Sequence, residues 1–128
     1  MDNQFTLKKR ERISSRKEID QLFKEGVGFI AFPLRVIYSE KKTLSGAAVS
    51  ILISVPKKKF KHAVKRNRIK RLIREAYRLN KNALIPCCVE KECGLLIAFL
   101  FIGNEMSQWN EINTAVRKAL EIVKERVE

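Results

Sequence analysis

The residues best suited to chemistry in this chain are cations gathered in one segment. Between Lys57 and Arg78 lie eleven Lys or Arg residues and a single acid, Glu75, so this segment carries a formal charge of +10. From Leu79 to the last residue, six basic and seven acidic side chains nearly cancel. Ammonium and guanidinium groups bind phosphate and carboxylate oxygens. The chemistry that this concentration predicts is the binding of a polyanion.

A helix is the element that would present these cations in rows. The segment 63–79 contains an apolar stripe at helical spacing, formed by Ile69, Leu72, Ile73 and Ala76. Side chains three or four positions apart on the remaining surface share a face. The basic rows that result are Arg66, Lys70 and Arg74, and beside them Arg71, Arg74 and Arg78. We therefore expect a helix with one face in the core and the other facing an anion.

The charged face allows three interpretations. A merely solvated face normally mixes acids with bases, but Glu75 is the only acid of this helix. A helix lying on a membrane surface needs an apolar face free to insert, and here the core requires that face. The net charge of +13 and a pI near 10.0 fit a nucleic-acid partner better than either alternative.

Two further features leave their roles open. Asn67 is either a local capping residue or a donor and acceptor of hydrogen bonds to a ribose or base. Phe23 and Tyr38 are either core residues or rings that face a common groove, on which single-stranded bases stack. Spacing alone does not separate these interpretations.

The elements around the basic helix predict an α+β fold. "SRKE" from Ser15 is a capping box, and a short first helix follows until Gly26 and Gly28. Strands are predicted from the apolar runs 32–39, 47–56 and 94–102. The segment 80–93, with Pro86, is predicted to be a connection. A last helix is predicted after Ser107 as its N-cap.

The overall composition bounds the class of protein. The 128 residues predict one domain, 1–128, in which 1–12 form a flexible basic arm. Neither a membrane-spanning run nor a secretory signal is found, so we expect a cytoplasmic protein with no membrane partner. Three cysteines, Cys87, Cys88 and Cys93, do not match a zinc-site spacing and are expected to be reduced thiols.

The run "AVKRNRIKRLIREAYR", residues 63–78, resembles the signature of the bacterial ribonuclease P protein subunit. The likeness includes "SVPKK", residues 54–58, and "FKEG", residues 23–26. The resemblance implies a two-layer α/β sandwich with a central mixed sheet of about four strands and three helices. It further implies a left-handed strand–helix–strand crossover, as in the second domain of ribosomal protein S5, where the usual expectation is right-handed.

The function implied by this resemblance is that of an accessory subunit. Ribonuclease P removes the 5′ leader of precursor tRNA, and its RNA subunit carries the catalytic centre with the Mg²⁺ that it requires. The protein would bind that RNA and the leader as one monomer per RNA, with no catalytic residue, metal or cofactor of its own. Residues assigned to the RNA subunit and nearby phosphates are Lys57, Lys58, Arg66, Asn67, Arg68, Lys70, Arg71 and Arg74. Those assigned to the leader cleft are Ile19, Phe23 and Tyr38.

Two departures from the family pattern stand out. Ile19 occupies a position where many members have a second aromatic residue of the cleft. The linker "KFKH", residues 59–62, is slightly longer than usual, and His62 is expected at the surface or facing RNA. Two other functions are alternatives, a structural RNA-binding protein such as a ribosomal protein and a nuclease that needs no RNA subunit.

Overall fold

The architecture is that of a four-stranded mixed sheet with helices on both faces. The computed structural model describes residues 13, 16–40, 48–90 and 94–127. The elements are α1 (Arg16–Glu25), β1 (Val27–Ala31), β2 (Leu34–Glu40), β3 (Val49–Ser54), α2 (Ala63–Asn80), a 3₁₀ turn (Lys81–Ala83), α3 (Ile85–Glu90), β4 (Leu95–Phe101) and α4 (Trp109–Val127). The predicted arm 1–12 and the capping box at Ser15 lie outside the described residues.

The strand order in the sheet is β1-β2-β4-β3. β1 pairs antiparallel with β2, β2 antiparallel with β4, and β3 parallel with β4. Parallel neighbours need a long crossover, and α2 supplies it between β3 and β4. The mixed sheet implied by the resemblance is confirmed, and α2 connects the edge strand β3 to its neighbour β4.

The main core lies between α2, α4 and one face of the sheet. From α2 it receives Ile69, Ile73, Ala76 and Tyr77, and from α4 mainly Ile112, Val116, Leu120 and Val123. Alternate strand residues such as Val36, Ile97 and Phe99 complete it, all of them fully buried. β4 is buried on both faces, which explains its continuous apolar run. This core fixes which side of α2 faces outward.

The opposite face of the sheet is partly covered by α1. Leu22 of α1 packs there with Ile37, Leu96 and Ala98. At Gly26, where α1 meets β1, a Cβ atom would collide with the Leu22 carbonyl oxygen and the Ile37 side chain, so only glycine fits this approach. Ile13 lies beside the edge strand β3, because its amide donates to the Ile51 carbonyl at 2.8 Å.

Three local predictions need correction. Gly28 does not end the first helix; it lies within β1, which was not predicted as a strand. The connection 80–93 contains a 3₁₀ turn and α3, so the described residues form four α-helices rather than three. Pro86 stands in the first turn of α3, where its missing N–H has no helical partner to lose.

The start of α4 also differs from the prediction by one residue. Gln108, not Ser107, precedes the helix: its carbonyl accepts from the Ile112 amide at 3.2 Å. Its own amide donates to the Glu111 carboxylate at 3.5 Å, which is half of a capping box. Ser107 is buried just before this turn. Within the described part of the chain, no helix has the length and apolar content needed to cross a membrane.

Candidate nucleic-acid interface

The outer face of α2 carries most of the predicted binding residues. Opposite the buried stripe, Asn67 is followed at helical spacing by Lys70, Arg71 and Arg74, with Arg68 on the flank. Asn67, Arg68 and Arg71 are exposed, whereas Lys70 and Arg74 are half-buried. We call Asn67, Arg68, Lys70, Arg71 and Arg74 the outer basic face. The structure brings these five predicted residues together on one surface.

Arg66 stands apart from that surface. Its Nη1 donates to the carbonyl oxygens of Phe60 and Lys61, at 2.7 and 2.9 Å. These bonds tie the loop before α2 to the first turn of the helix. One nitrogen of the Arg66 guanidinium is therefore used for the fold, and the assignment of Arg66 to RNA through its other N–H groups stays a prediction.

The cation nearest the end of the helix is also engaged. Arg78 forms a two-pronged pair with Glu75, with its Nε at 3.1 Å from one carboxylate oxygen and Nη2 on the other. The hydrogen bond from Arg78 lowers the pKa of Glu75, and the same bond raises the pKa of Arg78. The only acid of α2 is thus directed at Arg78, which leaves the outer basic face without a neutralising carboxylate among the described residues of the helix.

Asn67 has no local partner. Its side chain is exposed and makes no hydrogen bond within the described part of the chain, and the N-cap of the helix is His62, which forms no side-chain cap bond. The interpretation of Asn67 as a capping residue is therefore wrong. Its amide remains able to donate and accept toward a ligand.

The predicted lysines of the strand end lie in a turn that leads into α2. Lys57 and Lys58 are exposed, and they follow β3 at the end of the sheet where β4 also ends. The next residue, Lys59, donates from Nζ to the Ile102 carbonyl at 2.7 Å. Phe60 is buried and packs edge-to-face on Phe101, with ring centroids 5.7 Å apart. These contacts hold the turn beside the first residues of α2.

The predicted aromatic groove is not formed by Phe23 and Tyr38. Phe23 lies on α1 and is 48% exposed, with Ile19 half-buried one turn earlier. Tyr38 points to the other face of the sheet, where it packs against the main core and edge-to-face on Phe29 at 6.2 Å. The Arg126 guanidinium of α4 lies over both rings, 5.1 Å from that of Phe29 and 6.0 Å from that of Tyr38.

Tyr38 points away from α1 because side chains along a strand alternate between the two faces of the sheet. Neighbouring residues point to opposite faces, and Ile37 is the one that packs under α1. Tyr38 is therefore removed from the predicted cleft, and Ile37 stands there instead. Knowledge of which face α1 covers would have been needed to choose between the two.

Sequence reasoning missed a row of residues on the sheet that α1 leaves uncovered. Ile30, Arg35, Leu100 and Ser54 are cross-strand neighbours on all four strands. Ile30 is 66% exposed, Arg35 and Ser54 are exposed, and Leu100 is half-buried. The sequence signal for this row is Arg35, a charged residue between apolar residues of β2, which indicates that this strand position faces solvent. We call these four residues the open row.

The open row and the turn before α2 lie at the same end of the sheet. Ser54 is the last residue of β3, and Lys57 follows it three positions later. α1, which carries Phe23, and the open row lie on one face of the sheet. The outer basic face lies on α2, which packs against the opposite face. Among the described residues, no three His, Cys, Asp or Glu side chains come together as metal ligands.

Cys87 and Cys88 lie on α3, which contributes no residue to these surfaces. Cys87 is half-buried and Cys88 is fully buried, both on α3, where Cys88 belongs to the main core. Cys93 lies outside the described residues. The expectation that these are reduced thiols stays a prediction.

Fold and surface together define a small α+β protein whose cations gather on one crossover helix and the turn before it. A sequence model of the Ribonuclease P family matches residues 7–124. The chain is 44% identical over 116 residues to the ribonuclease P protein component of Porphyromonas gingivalis strain ATCC 33277, which covers 91% of this chain and 85% of the relative. That of Chlorobium phaeobacteroides is 38% identical over 112 residues, covering 80% and 75%. The chain belongs to the family of ribonuclease P protein components.

Solved structures agree on the fold. The RNase P protein of Staphylococcus aureus superimposes with a TM-score of 0.71 at 23% identity, covering 89% of this chain and 95% of that one. The RNase P protein of Thermotoga maritima gives a TM-score of 0.64 at 24% identity, covering 92% and 98%. The α+β fold expected from the resemblance is confirmed, and the family places the protein in a ribonuclease P enzyme.

Proposed function

We propose that the protein is the accessory subunit of ribonuclease P and binds the catalytic RNA through the outer basic face. The observation that carries this proposal is the set of cations on that face that lack a carboxylate partner within α2, although the helix contains an acid. Like charges on adjacent turns repel each other, and phosphates relieve that repulsion. Membership in the family supplies the identity of the polyanion.

The second half of the proposal concerns the 5′ leader of precursor tRNA. Single strands bind where exposed rings and apolar groups accept bases beside a cationic track for the backbone. Phe23 with its neighbour Ile19 supplies the ring and the apolar wall, and the open row supplies Ile30 and Leu100 with Arg35 between them. Lys57 and Lys58 follow at the same end of the sheet. We assign the leader to this surface, without Tyr38.

Catalysis in this proposal belongs to the RNA subunit. Bound Mg²⁺ would supply the activation of water and the stabilisation of the leaving oxygen there. The residues of this chain hold the two RNAs and provide positive charge near the cleavage site. One protein copy per RNA in the cytoplasm completes the proposal.

Reconstitution tests the assignment directly. The purified protein is mixed with ribonuclease P RNA and precursor tRNA at a Mg²⁺ concentration at which the RNA alone is slow. Accelerated release of the 5′ leader supports the proposal. Binding without acceleration would favour a structural RNA-binding protein, and cleavage without the RNA subunit would identify a nuclease that acts alone; either result contradicts the proposal.

The leader contact has its own test. We expect Phe23→Ala to weaken binding of precursor tRNA to the holoenzyme by about 1 to 3 kcal/mol, the usual loss for one base stacked on a ring. Mature tRNA, which has no leader, is the matched control and should bind almost as before. Equal losses for both substrates would mean that Phe23 acts on the fold rather than on the leader.

A further inference from the structure

A hollow at one end of the sheet lies between the turn that joins β1 to β2 and the loop that leads from β4 into α4. It has a volume of about 340 Å³, and the described residues that line it include two acids and no Lys, Arg or His. Its walls are formed mainly by Phe32, Pro33, Glu105, Met106, Ser107 and Glu111. We call it the acidic hollow. Its charge is opposite to what an RNA phosphate requires, although the chain as a whole carries +13.

The floor of the acidic hollow is held by the fold. The Ile102 amide donates to the Pro33 carbonyl at 2.9 Å, which ties the β1–β2 turn to the end of β4. Gly103 also lines the hollow, and a Cβ atom there would lie 2.9 Å from the Phe101 ring, so a side chain would require that ring to shift. The space is therefore part of the packed end of the sheet and exists before a ligand arrives.

Both carboxylates have oxygen atoms available to a ligand. Glu105 is exposed, and within the described part of the chain it forms no ion pair and no hydrogen bond, although four lysines line a second hollow that it also borders. Glu111 is exposed too, and one of its oxygens accepts from the Gln108 amide at 3.5 Å, which leaves the other without a partner among the described residues. Like charges around one space repel each other, and a bound cation relieves that repulsion.

A buried hydroxyl and an exposed ring add to these carboxylates. Ser107 is only 8% exposed, and its side chain makes no hydrogen bond to any described residue, so its oxygen is available toward the hollow that it lines. A buried polar group without a partner is unfavourable until a ligand supplies one. Phe32 is 70% exposed, and the face of such a ring attracts cations. All four side chains suit a positively charged ligand.

The lining favours an organic cation over a metal ion. A divalent metal ion takes about six or more oxygen ligands, whereas three of the six wall residues have no side-chain oxygen. A primary alkylammonium group has three N–H donors on an apolar stem. The three oxygen-bearing wall residues match those donors in number, and Pro33 and Met106 offer apolar surface to the stem.

We propose that the acidic hollow is a binding site for a primary alkylammonium ion, carried either by a free diamine or polyamine or by a lysine side chain of another protein. Its volume lies at the lower end of the range of about 300 to 1,000 Å³ found for ligand pockets, which suits one narrow alkyl stem. None of its wall residues belongs to the outer basic face or the open row. The proposal therefore does not rest on the proposed function.

The first arm of the test titrates the full chain with cadaverine, a linear diamine, at constant ionic strength and follows the backbone amides by NMR. We expect saturable shifts at Phe32 and in the loop 103–107. Glu105→Gln should weaken binding about tenfold or more, as the loss of a hydrogen bond to a charged group does. Phe32→Leu keeps the apolar bulk but loses the attraction of the ring for a cation, and should weaken binding about two- to fivefold.

The control is Glu121→Gln, which removes the same charge at an exposed position of α4 outside the hollow. It should bind cadaverine as the wild type does. Circular dichroism should show that every variant is folded, since the substituted side chains are exposed. Equal weakening in Glu105→Gln and Glu121→Gln would mean that the amine is attracted to the acids of the surface in general, and would overturn the proposal.

The second arm separates the two sources of the ammonium group. The same titration is made with Nα-acetyl-lysine methylamide, which carries the lysine side chain between two peptide groups. Tighter binding of cadaverine would assign the hollow to free amines, and tighter binding of the lysine derivative would assign it to a protein side chain. Both results support an alkylammonium site.

Two further outcomes would overturn the proposal. If neither amine gives saturable shifts and Glu105→Gln lowers the melting temperature, Glu105 serves the neighbouring lysines as a counter-charge and the hollow is no ligand site. If Mg²⁺ at the same ionic strength gives saturable shifts in the loop 103–107 and the amines do not, the hollow holds a metal ion instead. We expect saturable shifts with the amines and none with Mg²⁺.

Discussion

α2 and α4 are helices of 18 and 19 residues that pack beside each other on the same face of the sheet, yet their outer surfaces differ in charge. α2 has seven basic residues and one acid, a net charge of +6, whereas α4 has four basic residues and three acids, a net charge of +1. Their ends are joined by a hydrogen bond of 2.8 Å between Asn80 and Asn113. The inner faces of both helices pack in the same core, and only the outer faces differ in charge.

The comparison separates what the fold requires from what a partner requires. A helix on this sheet needs an apolar stripe, and both helices have one. Nothing in the packing of α2 requires six more positive than negative charges, and α4 manages the same packing without them. The excess on α2 is therefore available for binding, and α4 provides matched control positions for every test of it.

The largest expected effect concerns the inner faces, which should behave alike. Ile73 on α2 and Leu120 on α4 are both fully buried. Ile73→Ala and Leu120→Ala should each lower the free energy of unfolding by about 2 to 5 kcal/mol, because each leaves a cavity in the same core. Urea denaturation measures both. A loss of less than about 1 kcal/mol for only one of the two variants would contradict the claim that both helices contribute alike to the core.

The next effect concerns the outer faces, which should behave differently. A single change, Arg71→Ala, should reduce the slope of log RNA affinity against log salt by about 0.7 to 0.9, the value of one phosphate contact. The single change Lys118→Ala on α4 should not alter it. Neither change should shift the free energy of unfolding by more than about 0.5 kcal/mol, since both side chains are on the surface. If both variants change the slope of log RNA affinity against log salt equally, α2 has no special role in binding RNA.

A smaller effect is expected at Asn67, which has no charge. Asn67→Ala should weaken RNA binding by about 0.5 to 1.5 kcal/mol, the net value of a hydrogen bond, and leave the salt slope unchanged. Filter binding at several salt concentrations separates the two quantities. Asn113 of α4 is unsuitable as its control because it bonds to Asn80, so Thr114→Ala, at an exposed position, serves instead. Unchanged affinity for Asn67→Ala would remove this amide from the interface.

The smallest effect is the pH dependence of the Glu75–Arg78 pair. Because Arg78 lowers the pKa of Glu75 below its ordinary value of 4.5, the pair stabilises the fold above that pH and loses its contribution as pH falls through the lowered pKa. Glu75→Gln should therefore lower the melting temperature slightly at pH 7, and this difference should shrink as the pH falls below 4.5. A difference that does not shrink as the pH is lowered would have another cause.

Much of the fold was predictable because hydrophobic periodicity dominates long elements. The predicted ends lie within one or two residues of the observed ends for four elements: α2, β3, β4 and α4. β1 was missed because two glycines suggested a stop, although only Gly26 is needed there, for its close approach to Ile37. α3 was missed because Pro86 suggested a connection, whereas proline suits a first helical turn.

The sequence predicts which charged residues of the candidate site lie together, but not where each side chain points. Sequence spacing brought the residues of the outer basic face together, since helical periodicity fixes their relative angles. It could not show that Arg66 turns to the Phe60 carbonyl, because that contact depends on the path of the preceding turn. It also could not decide between Ile37 and Tyr38, because a strand pattern does not say which face another helix covers.

The most direct test of the central claim asks which helix touches RNA. Val64 on α2 and Thr114 on α4 are both exposed and uncharged, so replacing either by photoreactive benzoylphenylalanine leaves every cation in place. The protein is assembled with ribonuclease P RNA and irradiated, and covalent protein–RNA product is quantified. We predict strong crosslinking from position 64 and little from position 114. Equal yields, or a stronger crosslink from position 114, would contradict the assignment of the RNA to the outer basic face of α2.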